Sequence, residues 1–223
     1  MEIYGKERME FHNVIFDLDS TLVSIEGIDE LGRMVGKESE IQKLTDAAMR
    51  GDVTLEEVFE KRLQIIRPTK LHIKKLSQLY CNSITEGAVE LISTLKQRGK
   101  KVFLVTGGYR NAIEDVVRKL GLKNEYVFAN ELLFYSNGTY KGFQKNIPLW
   151  KNHGKAQVAL QILKRYPGKN IVIGDGISDL ELGLVAGTFV YYGGHVWREN
   201  IAAGSNYVIK EKNLMKIFDL IDP

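Results

Sequence analysis

The sequence lacks the features that would place it in a specialised class of protein. It holds one cysteine, Cys81, in 223 residues, which excludes an internal disulfide, and no cysteine and histidine cluster has zinc-site spacing. No hydrophobic run approaches the roughly 18 apolar residues of a membrane-spanning helix. Repeats and low-complexity stretches are also missing, so a fibrous or disordered chain is excluded.

The chain also lacks a large net charge of either sign. Lysine and arginine total 31 against 28 aspartate and glutamate residues, a net charge of +3. Nucleic acids and anionic membranes usually require a concentrated basic patch, so we expect neither as a partner. The first eleven residues also lack the apolar stretch of a signal peptide. We therefore expect a soluble, cytoplasmic protein, monomeric or homodimeric, whose partner is a small molecule.

Short apolar runs recur along the chain. They are too short for helices and rich in β-branched and aromatic residues, as are strands of a parallel sheet buried on both faces. The predicted strands are Val14–Phe16, Val102–Val105, Val127–Ala129, Ile171–Ile173 and Phe189–Tyr192.

Helical patterns alternate with these strands. Thr85 is predicted to cap a helix that Gly99 ends, a second helix ends at Gly121, and Lys155 opens a third. This alternation is typical of an α/β fold. Asn137-Gly138 adds a hairpin signal within it.

One stretch, residues 24–83, contains helical patterns and no convincing strand. Thr54 and Glu57 form a capping box at the start of one of its helices. We predict a catalytic core of residues 1–23 and 84–223, with residues 24–83 inserted as a helical cap and candidate lid.

Two carboxylates, Asp17 and Asp19, follow the first strand, where open α/β sheets bind ligands. Taken alone, the pair could equally be a turn that caps the next structural element. Asp175 and Asp179 follow the Ile171–Ile173 strand, and such convergence of carboxylates requires a hard cation, for which Mg²⁺ fits best. A dinucleotide loop at Gly174-Asp-Gly is the weaker alternative, because the last glycine of that fingerprint is replaced by Asp179.

Two further signals point to phosphate. Thr106-Gly107-Gly108 offers a hydroxyl and amide groups after the second strand, although a plain turn would look the same. Lys155 stands at a helix start, where a cation is disfavoured unless an anion is near. Together these residues predict a phosphate site with a metal ion, in which Asp17 attacks phosphorus and Asp19 transfers protons.

Arg62 falls within the apolar face of its predicted helix. An arginine in that place either pairs with an internal acid or binds an anionic ligand, and a carboxylate suits its geometry best. Glu26 beside it would suit an ammonium group. Carboxylate, ammonium and phosphate together describe a phosphorylated amino acid.

The motifs FDLDSTLVSIEGIDELG, VTGGYR, HGKAQ and IGDGISDLE resemble the four motifs of the haloacid dehalogenase superfamily. More narrowly, the chain is similar to the phosphoserine phosphatase family over nearly its whole length. The resemblance implies a Rossmann-like three-layer core with a parallel sheet, and a helical cap inserted after the first strand motif. It also implies Mg²⁺-dependent hydrolysis of O-phospho-L-serine through an aspartyl-phosphate, the final step of L-serine biosynthesis.

The resemblance further implies a role for each matching position. Asp17 is the nucleophile and Asp19 the acid/base. The metal ligands are Asp17, the carbonyl of Asp19, and Asp175, supported by Asp179 and Ser178; the phosphate contacts are Thr106, Gly107 and Lys155; the substrate-binding set is Glu26, Met49 and Arg62; and Arg198 lies near the cap–core junction. Thr106 and Ser178 depart from the usual residues but keep a hydroxyl group.

Two other functions stay open from the sequence. A phosphotransferase that passes the phosphoryl group to another alcohol, such as homoserine, would use the same aspartyl-phosphate. A non-catalytic regulatory protein could keep the fold, although every catalytic position holds a competent residue.

Overall fold

The computed structural model describes residues 10–49 and 53–222, without the side chains of Asp46, Ala48 and Met49. In this part of the chain, none of the helices combines the length and the apolar character needed to cross a membrane.

Six parallel strands form the central sheet, in the order β3-β2-β1-β6-β7-β8. They are β1 (Asn13–Phe16), β2 (Lys101–Tyr109), β3 (Val127–Asn130), β6 (Asn170–Gly174), β7 (Phe189–Tyr192) and β8 (Tyr207–Ile209). A separate antiparallel hairpin pairs β4 (Leu132–Phe134) with β5 (Tyr140–Phe143) around Asn137-Gly138, as predicted. The inner strands are buried along nearly their whole length, which explains their uniformly apolar sequences.

The register of the sheet determines where the functional residues meet. Phe16 at the end of β1 pairs with Leu104 of β2 on one side and with Ile173 of β6 on the other. Because all three strands are parallel, the residues that come after Phe16, Leu104 and Ile173 lie toward the same edge of the sheet. Asp17, Thr106 and Asp175 are therefore neighbours.

All five predicted strands are confirmed, and two details differ. β2 continues through Thr106-Gly107-Gly108 to Tyr109, so these residues belong to the strand and not to a turn. The edge strand β8 went unpredicted because it has three residues and Val208 at its centre is exposed, which weakens its apolar pattern.

The helices lie between and around these strands. They are α1 (Gly27–Met34), α2 (Glu38–Met49), α3 (Leu55–Ile66), α4 (Lys70–Asn82), α5 (Ala88–Gln97), α6 (Arg110–Lys119), α7 (Gly154–Arg165), α8 (Ile177–Ala186), α9 (Glu199–Ala203) and α10 (Phe218–Ile221). The prediction that Thr85 caps α5 is wrong. The helix begins after Gly87, and the Thr85 hydroxyl instead donates to the carbonyl of Thr21 at 2.7 Å.

Helices α1 to α4, here called the helical insertion, all lie between residues 24 and 83, the stretch where only helical patterns were expected. The capping box of Thr54 and Glu57 opens α3, and a second pair, Thr69 and His72, opens α4. The chain enters and leaves this helical insertion side by side, since Val23 and Ile84 form an antiparallel bridge. Apolar residues of the insertion join the hydrophobic cluster on one face of the sheet, so the two regions share a core.

Candidate active site

The turn after β1 carries two carboxylates. The amide of Asp17 donates to the carbonyl of Ile173 at 2.9 Å, which extends the pairing of β1 with β6 by one residue. Residues 18–22 then form a tight turn in which Ser20 has a positive φ of 51°. In this turn the Oδ1 atom of Asp19 accepts hydrogen bonds from the amide of Gly27 at 2.9 Å and from the hydroxyl of Tyr80 at 2.8 Å.

Three buried aspartates meet at the ends of β1 and β6. Carboxylate oxygens of Asp17, Asp175 and Asp179 lie within 4.8 Å of one another. The first turn of α8 fixes Asp179, whose Oδ2 atom accepts from the amide of Gly176 at 3.1 Å. The side chains that the sequence predicts at the metal therefore converge, and Asp179 lies as close to the other two as a ligand would.

Lys155 reaches this cluster from the start of α7. Its Nζ atom lies 2.8 Å from Asp17 Oδ1 and 2.7 Å from Asp179 Oδ1, and its side chain is buried. Burial by itself disfavours the charged form, but the two aspartates together raise the pKa of Lys155 above its ordinary value. Lys155 is thus a permanent cation inside the site and not a solvated surface residue.

The carboxylates of the site have unusual affinity for protons. Burial, followed by the charge of Asp179, raises the pKa of Asp17 well above its usual range. Burial also raises the pKa of Asp175 to about 7, again with Asp179 as the next cause, and that of Asp19 to about 6. Among the described side chains, Lys155 and Arg198 are the cations paired with these three buried aspartates, which leaves a surplus of negative charge that a divalent cation would stabilise. The residues present therefore fit a metal ion.

The end of β2 forms the third side of the site. The Thr106 hydroxyl is fully buried and accepts from the amide of Gly108 at 2.9 Å. Gly107 faces open space, because a Cβ atom built on it would meet no atom within 4 Å. Asn130 of β3 donates to the carbonyl of Gly107 at 2.9 Å and so holds this strand end in place.

The helical insertion supplies the opposite wall. Glu26 accepts a hydrogen bond of 2.6 Å from Ser20, and burial raises the pKa of Glu26 to about 7. Arg62 donates to the hydroxyl of Thr45, while its Nε atom is buried without a hydrogen-bond partner. Among the side chains described, no carboxylate forms an ion pair with Arg62.

Three predicted positions remain. Arg198 donates to both the carbonyl and the carboxylate of Asp175, so the structure places it against the aspartate cluster. Ser178 is half-buried in the first turn of α8, between Asp175 and Asp179 in the sequence. The side chain of Met49 lies outside the described residues.

Sequence reasoning missed Tyr80. Its hydroxyl is the donor to Asp19, and its surroundings raise its pKa, mainly through burial, so the phenol stays protonated. The available signal was a tyrosine at the end of the buried stripe of α4, after Ile73, Leu76 and Ser77. A buried tyrosine usually finds a partner for its hydroxyl, but the stripe does not say which.

Comparison with known proteins gives concordant results. The profile described as haloacid dehalogenase-like hydrolase matches residues 11–187. A phosphoserine phosphatase from Bos taurus is 36% identical over 199 residues, which cover 89% of this chain and 88% of the relative.

Solved structures show the same similarity. A phosphoserine phosphohydrolase-like protein from Francisella tularensis subsp. tularensis SCHU S4 superposes with a TM-score of 0.83 at 31% identity, over 96% of this chain and all of the other. A substrate-bound phosphoserine phosphatase complex superposes with a TM-score of 0.80 at 28% identity, over 97% of this chain and all of the other.

Proposed function

The chain belongs to the haloacid dehalogenase-like hydrolases, and from this membership we propose that it hydrolyses O-phospho-L-serine to L-serine and phosphate. The observation that carries the proposal is the meeting of Asp17, Asp175, Asp179 and Lys155 in one buried cluster, together with Arg62, which forms no ion pair with any described side chain. In this role the protein would supply serine, as the last reaction of a biosynthetic route.

Asp17 is the nucleophile of this proposal. Its carboxylate oxygen forms a bond to phosphorus while the bond from phosphorus to the serine oxygen breaks, which gives an aspartyl-phosphate. Asp19 donates a proton to the departing serine oxygen. Since the pKa of Asp19 is raised to about 6, part of the population carries that proton near neutral pH.

The second step reverses the role of Asp19. As a carboxylate it removes a proton from a water molecule, whose oxygen attacks phosphorus and releases Asp17 and inorganic phosphate. Lys155, the Thr106 hydroxyl and the amide of Gly107 stabilise the charge on the phosphoryl oxygens in both steps.

We infer that the metal is Mg²⁺. Asp17, Asp175 and the carbonyl of Asp19 would hold it, and Asp179 and Ser178 would support these ligands. All the donors are oxygens, which Mg²⁺ prefers. When bound, the ion would neutralise charge on the phosphoryl group and bring it close to Asp17.

The insertion would recognise the serine part of the substrate. The unpartnered Nε of Arg62 is available to a carboxylate, and Glu26 is available to an ammonium group. Met49 would complete this contact set. We also propose that residues 24–83 act as a cap that closes over the bound substrate, with the paired segments at Val23 and Ile84 as its connection to the core.

A panel of phosphomonoesters tests the proposal. Release of inorganic phosphate would be measured from phosphoserine, phosphothreonine, phosphoethanolamine and a sugar phosphate, with Mg²⁺ and with chelator. We expect phosphoserine to be the best substrate and chelator to abolish the activity. Preference for the sugar phosphate would contradict the assignment, and formation of a new phosphoester in the presence of homoserine would show a phosphotransferase instead.

A further inference from the structure

Tyr80 connects the helical insertion directly to the acid/base residue. It lies on α4 and its side chain is fully buried. Its hydroxyl donates to Oδ1 of Asp19 at 2.8 Å, across 61 positions of the chain. The amide of Gly27 donates to the same oxygen at 2.9 Å.

Two donors on one oxygen make the two oxygens of Asp19 unequal. Oδ1 already accepts two hydrogen bonds, whereas no donor to Oδ2 is found among the described residues. Oδ2 lies toward the end of β2, since a Cβ atom built on Gly108 would be 3.4 Å from it and 3.2 Å from the Thr106 hydroxyl. Oδ2 of Asp19 therefore faces the end of β2, where Thr106 and Gly107 would bind the phosphoryl group.

The position of the Tyr80 hydroxyl is fixed from several sides. A side chain at Gly27 would overlap the hydroxyl, so glycine at that position leaves the space that Tyr80 fills. One turn earlier on α4, the hydroxyl of Ser77 donates to Asp115 of α6 at 2.9 Å, which ties the helix to the core. The buried residues Ile73 and Leu76 anchor the same face of α4.

We infer that Tyr80 is a positioning residue for proton transfer. Its hydroxyl holds Asp19 in the orientation in which the proton sits on Oδ2 and faces the serine oxygen. As the bond between phosphorus and the serine oxygen breaks, the Oδ2–H bond breaks and the proton passes to that oxygen. Asp19 is left as a carboxylate with Tyr80 and Gly27 still donating to Oδ1. This inference rests on the proposed phosphatase function.

The test compares leaving groups that differ in their need for a proton. The serine alkoxide requires protonation, whereas the phenolate released from p-nitrophenyl phosphate does not. Since kcat/KM reports on steps up to departure of the alcohol, Tyr80→Phe should lower kcat/KM for phosphoserine about tenfold. For p-nitrophenyl phosphate, we expect a change of less than about twofold.

Two further variants separate positioning from structural damage. Gln78→Ala removes an exposed side chain from the same helix and should leave both substrates unaffected. Gly27→Ala, which displaces the Tyr80 hydroxyl, should reproduce the selective loss on phosphoserine even if Tyr80→Phe folds poorly. Equal losses on both substrates, or no loss on phosphoserine, would overturn the inference.

A wrong assignment of phosphoserine as the substrate would be recognised separately from a wrong assignment of Tyr80. It would show as poor hydrolysis of phosphoserine by the unmodified protein, and the comparison would then use the best alkyl phosphate of the panel. A tenfold selective loss there would still support the role of Tyr80, while an equal loss on the aryl ester would overturn it.

Discussion

The two walls of the site are built in different ways. On the sheet wall, Asp17, Lys155 and Asp179 are buried and joined by ion pairs of 2.7–2.8 Å. On the insertion wall, helix α3 carries Arg62, and the polar groups that link it to the core are exposed or half-buried. Glu56 accepts from the amide of Asn152 at 3.0 Å, and Glu60 pairs with Lys145 at 2.7 Å.

The groups proposed to react lie on the sheet wall, and the groups proposed to recognise the serine part of the substrate lie on the insertion wall. Buried ion pairs are costly to break, so the reacting groups of the sheet wall keep their geometry. Exposed pairs contribute little, so these polar contacts hold α3 only weakly, and its attachment to the core depends on apolar packing such as that of Phe59 against Tyr109 and Phe143. Helix α4 is the part of the insertion that resembles the sheet wall, because Tyr80 is buried against Asp19 and Ser77 is bonded to Asp115.

The largest effect is expected on the sheet wall, from Asp17→Asn. The amide cannot form an acyl phosphate, so turnover of phosphoserine should fall by about 10⁴-fold or more. Lys155 keeps Asp179 as its partner, so the fold should persist. Steady-state phosphate release and circular dichroism would check both expectations, with Asp219→Asn, at an exposed position on α10, as a matched control outside the site. Residual activity near that of the unmodified protein would exclude Asp17 as the nucleophile.

Metal binding should stabilise the sheet wall in a pH-dependent way. The pKa of Asp175 is about 7 and that of Asp19 about 6 in the folded, metal-free protein, above their unfolded values near 4. The folded state therefore binds more protons between pH 4 and 7, and the metal-free protein loses stability as pH rises through this range. A cation replaces those protons, so its stabilising effect should grow over the same range.

Thermal unfolding with and without Mg²⁺ at pH 5 and pH 8 measures this effect. At a hundredfold excess over Kd the ion should contribute about 2.7 kcal/mol. The increase in Tm should be larger at pH 8, and Asp175→Asn should reduce it. An equal increase at both values of pH would contradict the aspartate cluster as the binding site.

On the insertion wall, Arg62→Ala should weaken recognition. A hydrogen bond to a charged group contributes about 1.5–3 kcal/mol, which is roughly ten- to a hundredfold in kcat/KM for phosphoserine. Phosphoethanolamine lacks the carboxylate, so its hydrolysis should change little. Lys61→Ala, an exposed cation on the same helix, is the matched control. Equal losses on the two substrates would mean that Arg62 is structural.

The smallest effect is expected from Lys145→Ala, which removes the ion pair with Glu60. The Lys145 side chain is 65% exposed, so the pair should contribute less than about 1 kcal/mol to stability. We expect a small fall in Tm and a change of a few-fold or less in KM, with kcat unchanged. A large fall in kcat would show that this exposed contact controls the reacting groups, and the contrast between the two walls would fail.

The sheet wall was largely predictable from the sequence. Asp17 and Asp175 each follow a buried strand directly, and parallel pairing brings such positions together without knowledge of any side-chain contact. Lys155 was predictable because a cation at a helix start is disfavoured unless an anion is near. The start of α5 could not be predicted in the same way. The Thr85 hydroxyl, which was expected to cap this helix, instead donates to the carbonyl of Thr21, 64 positions earlier in the chain.

Contacts that depend on how the insertion packs were not predictable. The bond from Tyr80 to Asp19 requires α4 to lie against α6 and Gly27 to lack a side chain. Similarly, the resemblance placed Arg198 near the cap–core junction, whereas its contact with Asp175 follows from the loop after β7. Neither contact has a local sequence signal, because each joins residues more than twenty positions apart.

The central claim is that Asp17 becomes phosphorylated at a metal-dependent site, and rapid acid quench followed by mass spectrometry tests it most directly. After mixing with phosphoserine and Mg²⁺, we predict one phosphoryl group on the peptide that contains Asp17, lost on treatment with hydroxylamine and missing when chelator replaces Mg²⁺. Full turnover with no phosphoryl group on that peptide at any quench time, or with the group on another residue, would contradict the account.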